Sequence, residues 1–268
     1  METTNSKTNR NFMVDFLITG SIDVSTDVIL LQMTPVDAGI KLCNLGICPG
    51  QFVQVKAPNN ATFLRRPISV CFVDESANQL WLLIRNAGTG SNAIMHAPVG
   101  SSLNIILPLG NGFSLEKCGS TPLLIGGGVG VAPLLMLGAW LKHRGVTPTF
   151  LIGAKTRDAL LLIDTLAQYG ETYVSTDDAS YGDAGLVTQN HILENDFSSI
   201  YCCGPLPMMK AVAKIAAEKG IFCEVSLENV MGCGIGACLC CVEKTVDGNL
   251  CVCKDGPVFN IKQLLWHN

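Results

Sequence analysis

The sequence is poor in charged residues and in histidine. Asp, Glu, Lys and Arg make up 15% of the 268 residues, and there are only four histidines. The formal net charge is −4 and the pI is about 5.5, which argues against a nucleic-acid-binding protein. Hydrophobic residues make up 48% of the chain, which is enough to bury a sizeable core. A chain of this length can hold two or three domains.

The sequence also lacks a recognisable secretion signal and a continuous membrane span. Its 13 cysteines are an odd number, so a disulfide scaffold is not indicated and we expect a reducing cytoplasm. Residues 121–141 carry no charge and have the length of a membrane helix, but five glycines and Pro133 interrupt them. We therefore expect a strand over 123–125, a glycine turn over 126–130 and a helix that begins near Pro133.

Cysteines near the C-terminus carry the strongest chemical signal. Cys233, Cys238 and Cys241 have the spacing C-x4-C-x2-C, which together with a later fourth cysteine is the plant-type pattern for a [2Fe–2S] cluster. Gly234 and Gly236 allow the chain to turn tightly around such a cluster. Backbone amides in the turn are then able to point at its negative charge. The motif predicts an electron carrier.

Neighbouring thiols leave part of the ligand set open. Cys240 adjoins Cys241, although the spacing selects Cys241. The spacing alone does not decide whether the fourth ligand is Cys251 or Cys253. Structural zinc is the alternative, but zinc sites usually show repeated C-x2-C pairs or histidines, and residues 204–266 contain no histidine.

The pattern of apolar runs divides the chain into three blocks. Residues 11–115 show short β-type runs separated by turn residues, which is typical of an antiparallel barrel. Residues 116–222 alternate strand-like runs with helical stretches over 133–145, 158–170 and 207–220, which indicates a parallel sheet with helices on both faces. Residues 223–268 are rich in cysteine and glycine. The predicted fold class is therefore multidomain, β plus α/β, with an antiparallel β-barrel, a parallel-sheet nucleotide domain and a small C-terminal cluster domain.

Two motifs in the barrel block are typical of nucleotide binding. RRPISV places Arg66 and Ser69 on either side of Pro67–Ile68; arginine binds phosphate strongly, and serine can hydrogen-bond a polar ring atom. The glycine-rich stretch NAGTGSNAI, residues 86–94, leads into a helical stretch whose first amides would bind phosphate. Each motif is weak alone, and the second is equally typical of a hairpin turn. Together, ahead of an α/β block, they predict a flavin site.

The α/β block has two candidate ligand-binding turns. GGGVGVAP follows a strand and precedes a helix, although it does not match G-x-G-x-x-G. Gly204 and Pro205 connect the last strand to the last helix, at the carboxyl edge where open parallel sheets bind ligands. Cys203 at the tip of that strand either contacts the cofactor or is a small buried core residue.

The order of these motifs resembles that of the ferredoxin–NADP reductase superfamily over about residues 11–262. RPIS, G-x-G-S, GGGVGVAPL, CGPLPMM, CGIGACLCC and VCKDGPVF carry the resemblance. The cluster motif after the nucleotide domain is similar, more narrowly, to that of the electron-transfer subunits of type B, NAD-linked dihydroorotate dehydrogenases. In that family one residue separates the fourth ligand from DGPVF (here 255–259), which implies Cys253 rather than Cys251.

The resemblance implies roles for particular residues. FAD would contact Arg66, Pro67, Ile68, Ser69, Leu83, Ile84, Arg85, Gly90 and Ser91. NAD(H) would bind at Gly127, Gly128, Gly130, Gly204 and Pro205, with Cys203 as the candidate catalytic residue. The [2Fe–2S] cluster would be held by Cys233, Cys238, Cys241 and Cys253. The family commonly has threonine at Ser91, and a hydroxyl remains here.

The resemblance also implies a function. NADH gives two electrons as a hydride and the cluster accepts one at a time, so FAD must stand between them. Electrons would pass to or from an FMN-containing dihydroorotate dehydrogenase catalytic subunit of pyrimidine biosynthesis, in a cytoplasmic heterotetramer of two plus two, with no nucleic-acid or membrane partner. The alternatives are a small subunit of a sulfide dehydrogenase, a hydrogenase or an NADH–ferredoxin transhydrogenase, or a non-redox zinc module. The preference for NADH or NADPH stays open, since Lys155 and Arg157 fit either a 2′-phosphate site or a solvated surface.

Overall fold

The structure is a computed structural model that describes residues 11–266. Residues 267–268, the last two of the predicted cluster domain, lie outside the described residues. Fifteen strands and four α-helices are present within the described range.

The N-terminal part is a closed antiparallel barrel of six strands, which confirms the predicted architecture. The strand order is β1-β2-β5-β4-β3-β6. Closure leaves no free sheet edge. The barrel strands are β1 Phe12–Ser25, β2 Val28–Pro35, β3 Phe52–Val55, β4 Arg66–Asp74, β5 Gln79–Arg85 and β6 Ser102–Leu109, and the short helix α1 Thr89–Met95 follows β5.

A seven-stranded sheet follows, in the order β10-β9-β8-β7-β11-β12-β15. Its first six members pair in parallel, as predicted for a nucleotide domain. The strands are β7 Pro122–Gly127, β8 Thr149–Ala154, β9 Glu171–Thr176, β10 Asp183–Ala184, β11 Ser199–Cys203, β12 Phe222–Ser226 and β15 Val258–Asn260. The helices are α2 Val131–His143, α3 Ile163–Ala167 and α4 Leu206–Lys219.

The uncharged segment 121–141 forms a strand, a turn and a helix, as its sequence predicts. Strand β7 ends at Gly127, a 3-10 turn covers Gly128–Gly130, and α2 begins at Val131, two residues before Pro133. Helix α2 then packs against β4 of the barrel, which brings the glycine turn beside the barrel. Within residues 11–266, the helices are too short or too polar to span a membrane.

One predicted helix is much shorter in the structure. The pattern over 158–170 predicts a continuous helix, but the chain has a 3-10 turn at Arg157–Ala159 and an α-helix only at Ile163–Ala167. Leu161 and Leu166 are both buried. Leu162, between them, has a φ of 59°, a left-handed conformation that an α-helix does not contain. The backbone at Leu162 therefore interrupts the predicted helix.

The cysteine-rich segment is tied to both other parts of the molecule. It forms a hairpin from β13 Val242–Thr245 and β14 Gly248–Cys251, then returns as β15, which pairs antiparallel with β12. Strand β12 itself, Phe222–Ser226, spans the boundary between residues 222 and 223, where the sequence placed the start of the cluster domain. One apolar core joins Phe52 of the barrel, Ile125 of the sheet and Cys241 of the cysteine-rich segment. The cluster segment is therefore packed against rigid elements.

Candidate functional site

A cavity of about 540 Å³ lies where the barrel meets the parallel sheet. Strands β4 and β5 and the start of α1 form its barrel side. Val129 and Ala132, from the glycine turn and α2, form part of the opposite side. The cavity brings together every residue that the sequence predicted for FAD, namely Arg66, Pro67, Ile68, Ser69, Leu83, Ile84, Arg85, Gly90 and Ser91.

Arg66 lies directly over the turn that begins α1. A Cβ built on Gly90 would overlap the guanidinium group of Arg66, so only glycine allows this close approach. The Ser91 hydroxyl braces the same turn, since it accepts from the Ala87 amide at 2.8 Å and donates to the Gly88 carbonyl at 3.0 Å. The cation and the turn backbone together form a surface suited to phosphate.

The adjacent arginine has a different role. The Arg65 guanidinium donates to the Asn104 carbonyl at 2.9 Å and to the Asn104 side chain at 2.5 Å. Arg65 does not line the cavity, whereas Arg66 does. The structure therefore assigns different roles to two adjacent arginines that the sequence alone does not distinguish.

Sequence reasoning missed one wall of the cavity. Residues 226–231, which run from the last residue of β12 toward the cysteine motif, line it together with Phe52, Thr89 and Pro257. Glu228 faces Arg85 there, and its carboxyl still reaches solvent. Enclosure by the cavity walls raises the pKa of this carboxyl, and the charge of Arg85 opposes the rise. The segment contains no phosphate or metal motif, and its position just before Cys233 is the one signal that it offers.

The two predicted NAD(H) turns meet at the carboxyl edge of the sheet. Strands β7 and β11 are neighbours, with Cys203 opposite Gly126. A Cβ on Gly130 would overlap the Cys203 carbonyl, and one on Gly204 would lie 3.0 Å from the Gly127 nitrogen. The turns therefore contact each other through their backbones.

The other members of these turns lie at the same edge. Gly128 has a positive φ of 55°, and a Cβ there would lie 3.7 Å from the Arg85 guanidinium, which lines the 540 Å³ cavity. The ring of Pro205 lies 3.0 Å from the Cβ position of Gly127. The predicted nucleotide edge thus borders the cavity.

Cys203 is 1% exposed at the end of β11. Burial raises the pKa of its thiol, and the charge of Glu228 raises it further. The group is therefore a neutral thiol near pH 7, and a neutral thiol is a weak nucleophile. It packs in an apolar core with Leu124 and Tyr201 and does not line the cavity, and its catalytic role stays a prediction.

In the cysteine loop, successive backbone amides point at sulfur. The Ile235 and Ala237 amides donate to the Cys233 sulfur at 3.4 and 3.2 Å, and the Gly236 amide between them donates to the Cys253 sulfur at 3.1 Å. One short turn therefore serves two of the predicted ligands. Donors arranged in this way stabilise the negative charge of an iron–sulfur cluster.

The remaining cysteines differ in their surroundings. The Cys253 amide donates to the Cys241 sulfur at 3.3 Å, which links the third and fourth predicted ligands. Cys238 is exposed, like its neighbour Cys240. The Cys251 amide is held by the Asp255 carboxylate at 2.7 Å, and no described amide donates to the Cys251 sulfur.

The electrostatics of the loop favour thiolate formation at its first cysteine. Partial burial opposes ionisation of Cys233, but the amides of Ile235, Cys238 and Ala237 outweigh it and lower its pKa to about 6. Thiolate is the form that ligates iron. Among residues 11–266, no three His, Cys, Asp or Glu side chains converge as ligands of a single metal ion. The hydrogen bonds from backbone amides to sulfur are the feature of this loop that fits a cluster.

Comparison with known proteins first defines the class. A chain of the NADH-dependent reduced ferredoxin–NADP oxidoreductase superposes with a TM-score of 0.82 and 26% identity, covering 94% of this chain and 90% of that one. A flavohemoglobin from Malassezia yamatoensis shares the fold with a TM-score of 0.65 and 21% identity, over 80% of this chain and 60% of that one. The architecture is that of ferredoxin reductase-like oxidoreductases.

Family comparisons then narrow the class. The oxidoreductase NAD-binding domain family matches residues 124–214, and the iron-sulfur cluster binding domain of dihydroorotate dehydrogenase B matches residues 228–265. Electron transfer subunits of dihydroorotate dehydrogenase B (NAD(+)) from Geobacillus sp. (strain WCH70) and Bacillus cereus (strain B4264) are 39% and 41% identical, each over 81% of this chain and 86% of the relative.

The chain therefore belongs to the family of dihydroorotate dehydrogenase B electron-transfer subunits. Its cofactors are FAD, a [2Fe–2S] cluster and NAD(H), and it transfers electrons among them as the subunit of a larger enzyme.

Proposed function

We propose that this chain carries electrons between NAD(H) and an FMN-containing catalytic subunit that interconverts dihydroorotate and orotate. The observation that carries the proposal is the position of the 540 Å³ cavity. Its walls include Val129 and Ala132 next to the nucleotide edge, and residues 226–231 that lead into the cysteine loop. A cofactor in that cavity lies between the two other cofactor sites.

When bound, FAD supplies the exchange between a two-electron hydride donor and a one-electron acceptor. Arg66 and Arg85 provide positive charge for its phosphates, and Ser69 offers a hydroxyl to its ring system. The chain's own task is positioning, since a hydride step needs reacting atoms within about 3–3.5 Å. Direct contact between the two glycine-containing turns supports this task, because their backbones fix one another.

Cys233, Cys238, Cys241 and Cys253 are the proposed ligands of the cluster. Hydrogen bonds from backbone amides to the sulfurs of Cys233, Cys241 and Cys253 support the set. The hydrogen bond from the Cys251 amide to the Asp255 carboxylate supports the choice of Cys253 over Cys251. Cys240 is the extra thiol beside the cluster.

We propose that the partner docks over the cysteine loop. Large apolar side chains are exposed around it: Val230 is 80% exposed, Leu239 65% and Ile235 52%. Apolar groups concentrated at one place on a surface mark interaction sites. Docking there would place the partner's FMN close to the cluster, which is the exit for electrons.

The assembly and its setting are part of the same proposal. We propose a heterotetramer of two plus two in the cytoplasm. The cytoplasmic setting is supported by the 13 free cysteines, all of which lie within the described residues. The division into a flavin unit (11–115), a nucleotide unit (116–222) and a cluster unit (223–268) is proposed as a functional one.

One observation favours a second candidate partner. The superposition with a chain of an NADH-dependent reduced ferredoxin–NADP oxidoreductase extends over 94% of this chain. An electron-transfer subunit of a transhydrogenase is therefore the alternative, with the same cofactors but another partner subunit.

The test is coupling between subunits. The isolated chain should reduce small dyes with NADH and show no dihydroorotate oxidation, and addition of the FMN subunit should couple dihydroorotate oxidation to NAD reduction. Cys238→Ser should retain NADH-dependent flavin reduction but fail in coupling, since only single-electron relay spans two subunits. Coupling by a cluster-free variant at the wild-type rate contradicts the relay, and coupling only to another flavoprotein contradicts the partner.

A further inference from the structure

Gln54 is a buried polar side chain at the junction between the barrel and the cysteine loop. On β3 its neighbours Val53 and Val55 face the barrel core. Alternation along the strand turns Gln54 the other way, to the side of Phe52, which packs in one apolar core with Cys241 and Cys253. Gln54 therefore faces the cluster segment from the barrel wall.

The Gln54 amide has no partner. The side chain is 0% exposed, and neither its nitrogen nor its oxygen has a hydrogen bond within the described residues. Buried polar groups without partners are costly, and those that persist call for an explanation. Gln54 does not line the flavin cavity, so FAD in that cavity does not account for the amide.

The orphaned amide points at the cysteine loop. The Gln54 Nε2 atom lies 2.8 Å from the position that a Cβ of Gly234 would occupy, and Gly234 has a φ of 75°. Gly234 lies between Cys233 and Ile235, in the turn whose amides donate to the Cys233 and Cys253 sulfurs. Glycine at this position lets the glutamine reach the loop backbone.

We propose that the amide of Gln54 donates a hydrogen bond to a sulfur of the [2Fe–2S] site and raises the reduction potential of the cluster. Hydrogen bonds to cluster sulfurs stabilise the more negative, reduced form. The barrel thereby sets how readily electrons leave FAD for the cluster. This inference rests on the proposed cluster site at residues 233–253.

The test compares two buried glutamines of the holoprotein. Gln54→Met replaces the amide with an apolar chain of the same length. Gln51→Met is the matched control, because the Gln51 amide is satisfied by the protein: its nitrogen donates to the Gly110 carbonyl at 2.8 Å and its oxygen accepts from the Cys48 amide at 2.7 Å. Iron and FAD content, redox potential and the electron paramagnetic resonance spectrum of the reduced cluster are measured for each.

We expect Gln54→Met to keep iron and FAD and to have a more negative cluster potential, with at least about a threefold lower ratio of reduced to oxidised cluster at fixed applied potential. Its resonance spectrum should shift. Gln51→Met should melt lower with the cluster potential unchanged. A wild-type potential and spectrum in Gln54→Met would overturn the proposal, as would an equal shift in both variants.

Two further outcomes are also decisive. If Gln54→Met loses iron, Gln54→Leu replaces it, and a wild-type potential in that variant overturns the proposal, whereas a more negative one supports it. If the purified wild-type protein contains no iron, the proposed cluster function itself fails, and iron analysis shows this before any Gln54 variant is made.

Discussion

The cavity proposed to bind FAD and the cysteine loop are built in opposite ways. The loop takes its predicted ligands from residues 233–253, and amides of one short turn donate to the Cys233 and Cys253 sulfurs. The cavity takes its walls from positions as distant as Phe52 and Pro257, on the barrel, the glycine turn and the segment after β12. A site made of neighbouring residues can be recognised from the spacing of those residues in the sequence, whereas a site made of distant residues depends on how the domains pack.

The difference also concerns what holds each site in place. The loop requires its own turn and the core beneath it. The cavity requires that the barrel and the sheet keep their relative position. Packing of α2 against β4 contributes to this, as do the hydrogen bonds that the Ser114 amide and hydroxyl donate to the Glu224 carboxylate. Substitutions in the loop should therefore have local effects, and those between the barrel and the sheet should have distributed ones.

The largest effect expected is loss of the cluster from Cys238→Ser. Serine offers a hard oxygen donor where the cluster needs a soft thiolate, so bound iron should fall to near zero while FAD stays bound. Iron and flavin analysis of the purified protein measures both. The control is Cys240→Ser, which removes an exposed thiol two residues away and should keep iron near the wild-type level.

The fourth ligand gives an equally large but more selective test. Cys253→Ser should lose iron, and Cys251→Ser should keep it, since the Cys253 sulfur accepts the Gly236 amide at 3.1 Å. Visible absorbance and iron content distinguish the two proteins. The reverse pattern would show that Cys251 is the ligand and that the turn rearranges when the cluster binds.

An intermediate effect is expected at the cavity from Arg66→Ala. Loss of a charge-assisted contact to phosphate costs about 1.5–3 kcal/mol, which is roughly a 10- to 150-fold weaker FAD affinity. Iron content should not change, because the loop is built independently. Arg65→Ala is the control: it removes the bonds to Asn104 outside the cavity, so FAD retention after gel filtration should stay at the wild-type level. Equal loss of FAD in both variants contradicts the assignment.

The smallest effect is a pH dependence at the junction of the barrel and the sheet. Burial raises the pKa of Glu224 above its usual 4.5, and the hydrogen bonds from Ser114 oppose the rise without cancelling it. With a raised carboxyl pKa, the folded state binds the proton more tightly than the unfolded state does. The contribution of Glu224 is therefore most favourable below pH 4.5 and declines as the pH rises through the folded-state pKa.

Glu224→Gln should remove that decline. The melting temperature of the variant minus that of the wild type should increase between pH 4 and pH 8, by on the order of 2–4 °C. Differential scanning fluorimetry across this range measures it. A temperature difference that is constant with pH would show that Glu224 is equally ionised in both states.

The sequence by itself determined the chemistry of the loop and the architecture around it. The cysteine spacing and the alternation of apolar runs are local properties of the chain, and local periodicity sets strands and helices before tertiary packing acts. The closed barrel, the parallel sheet and the split of the uncharged segment 121–141 were therefore predictable. The interrupted helix at 158–170 was not, because the left-handed backbone at Leu162 runs against the helical pattern of the segment.

Only the tertiary structure decided which residues share a site. It placed Arg66 in the cavity and Arg65 outside it, although the two are adjacent in sequence and identical in chemistry. It brought Glu228 to face Arg85, and Gln54 to face the cysteine loop about 180 residues away along the chain. Such contacts have no signature in spacing, because the free energy that fixes them comes from burying surfaces between elements that meet only in the folded chain.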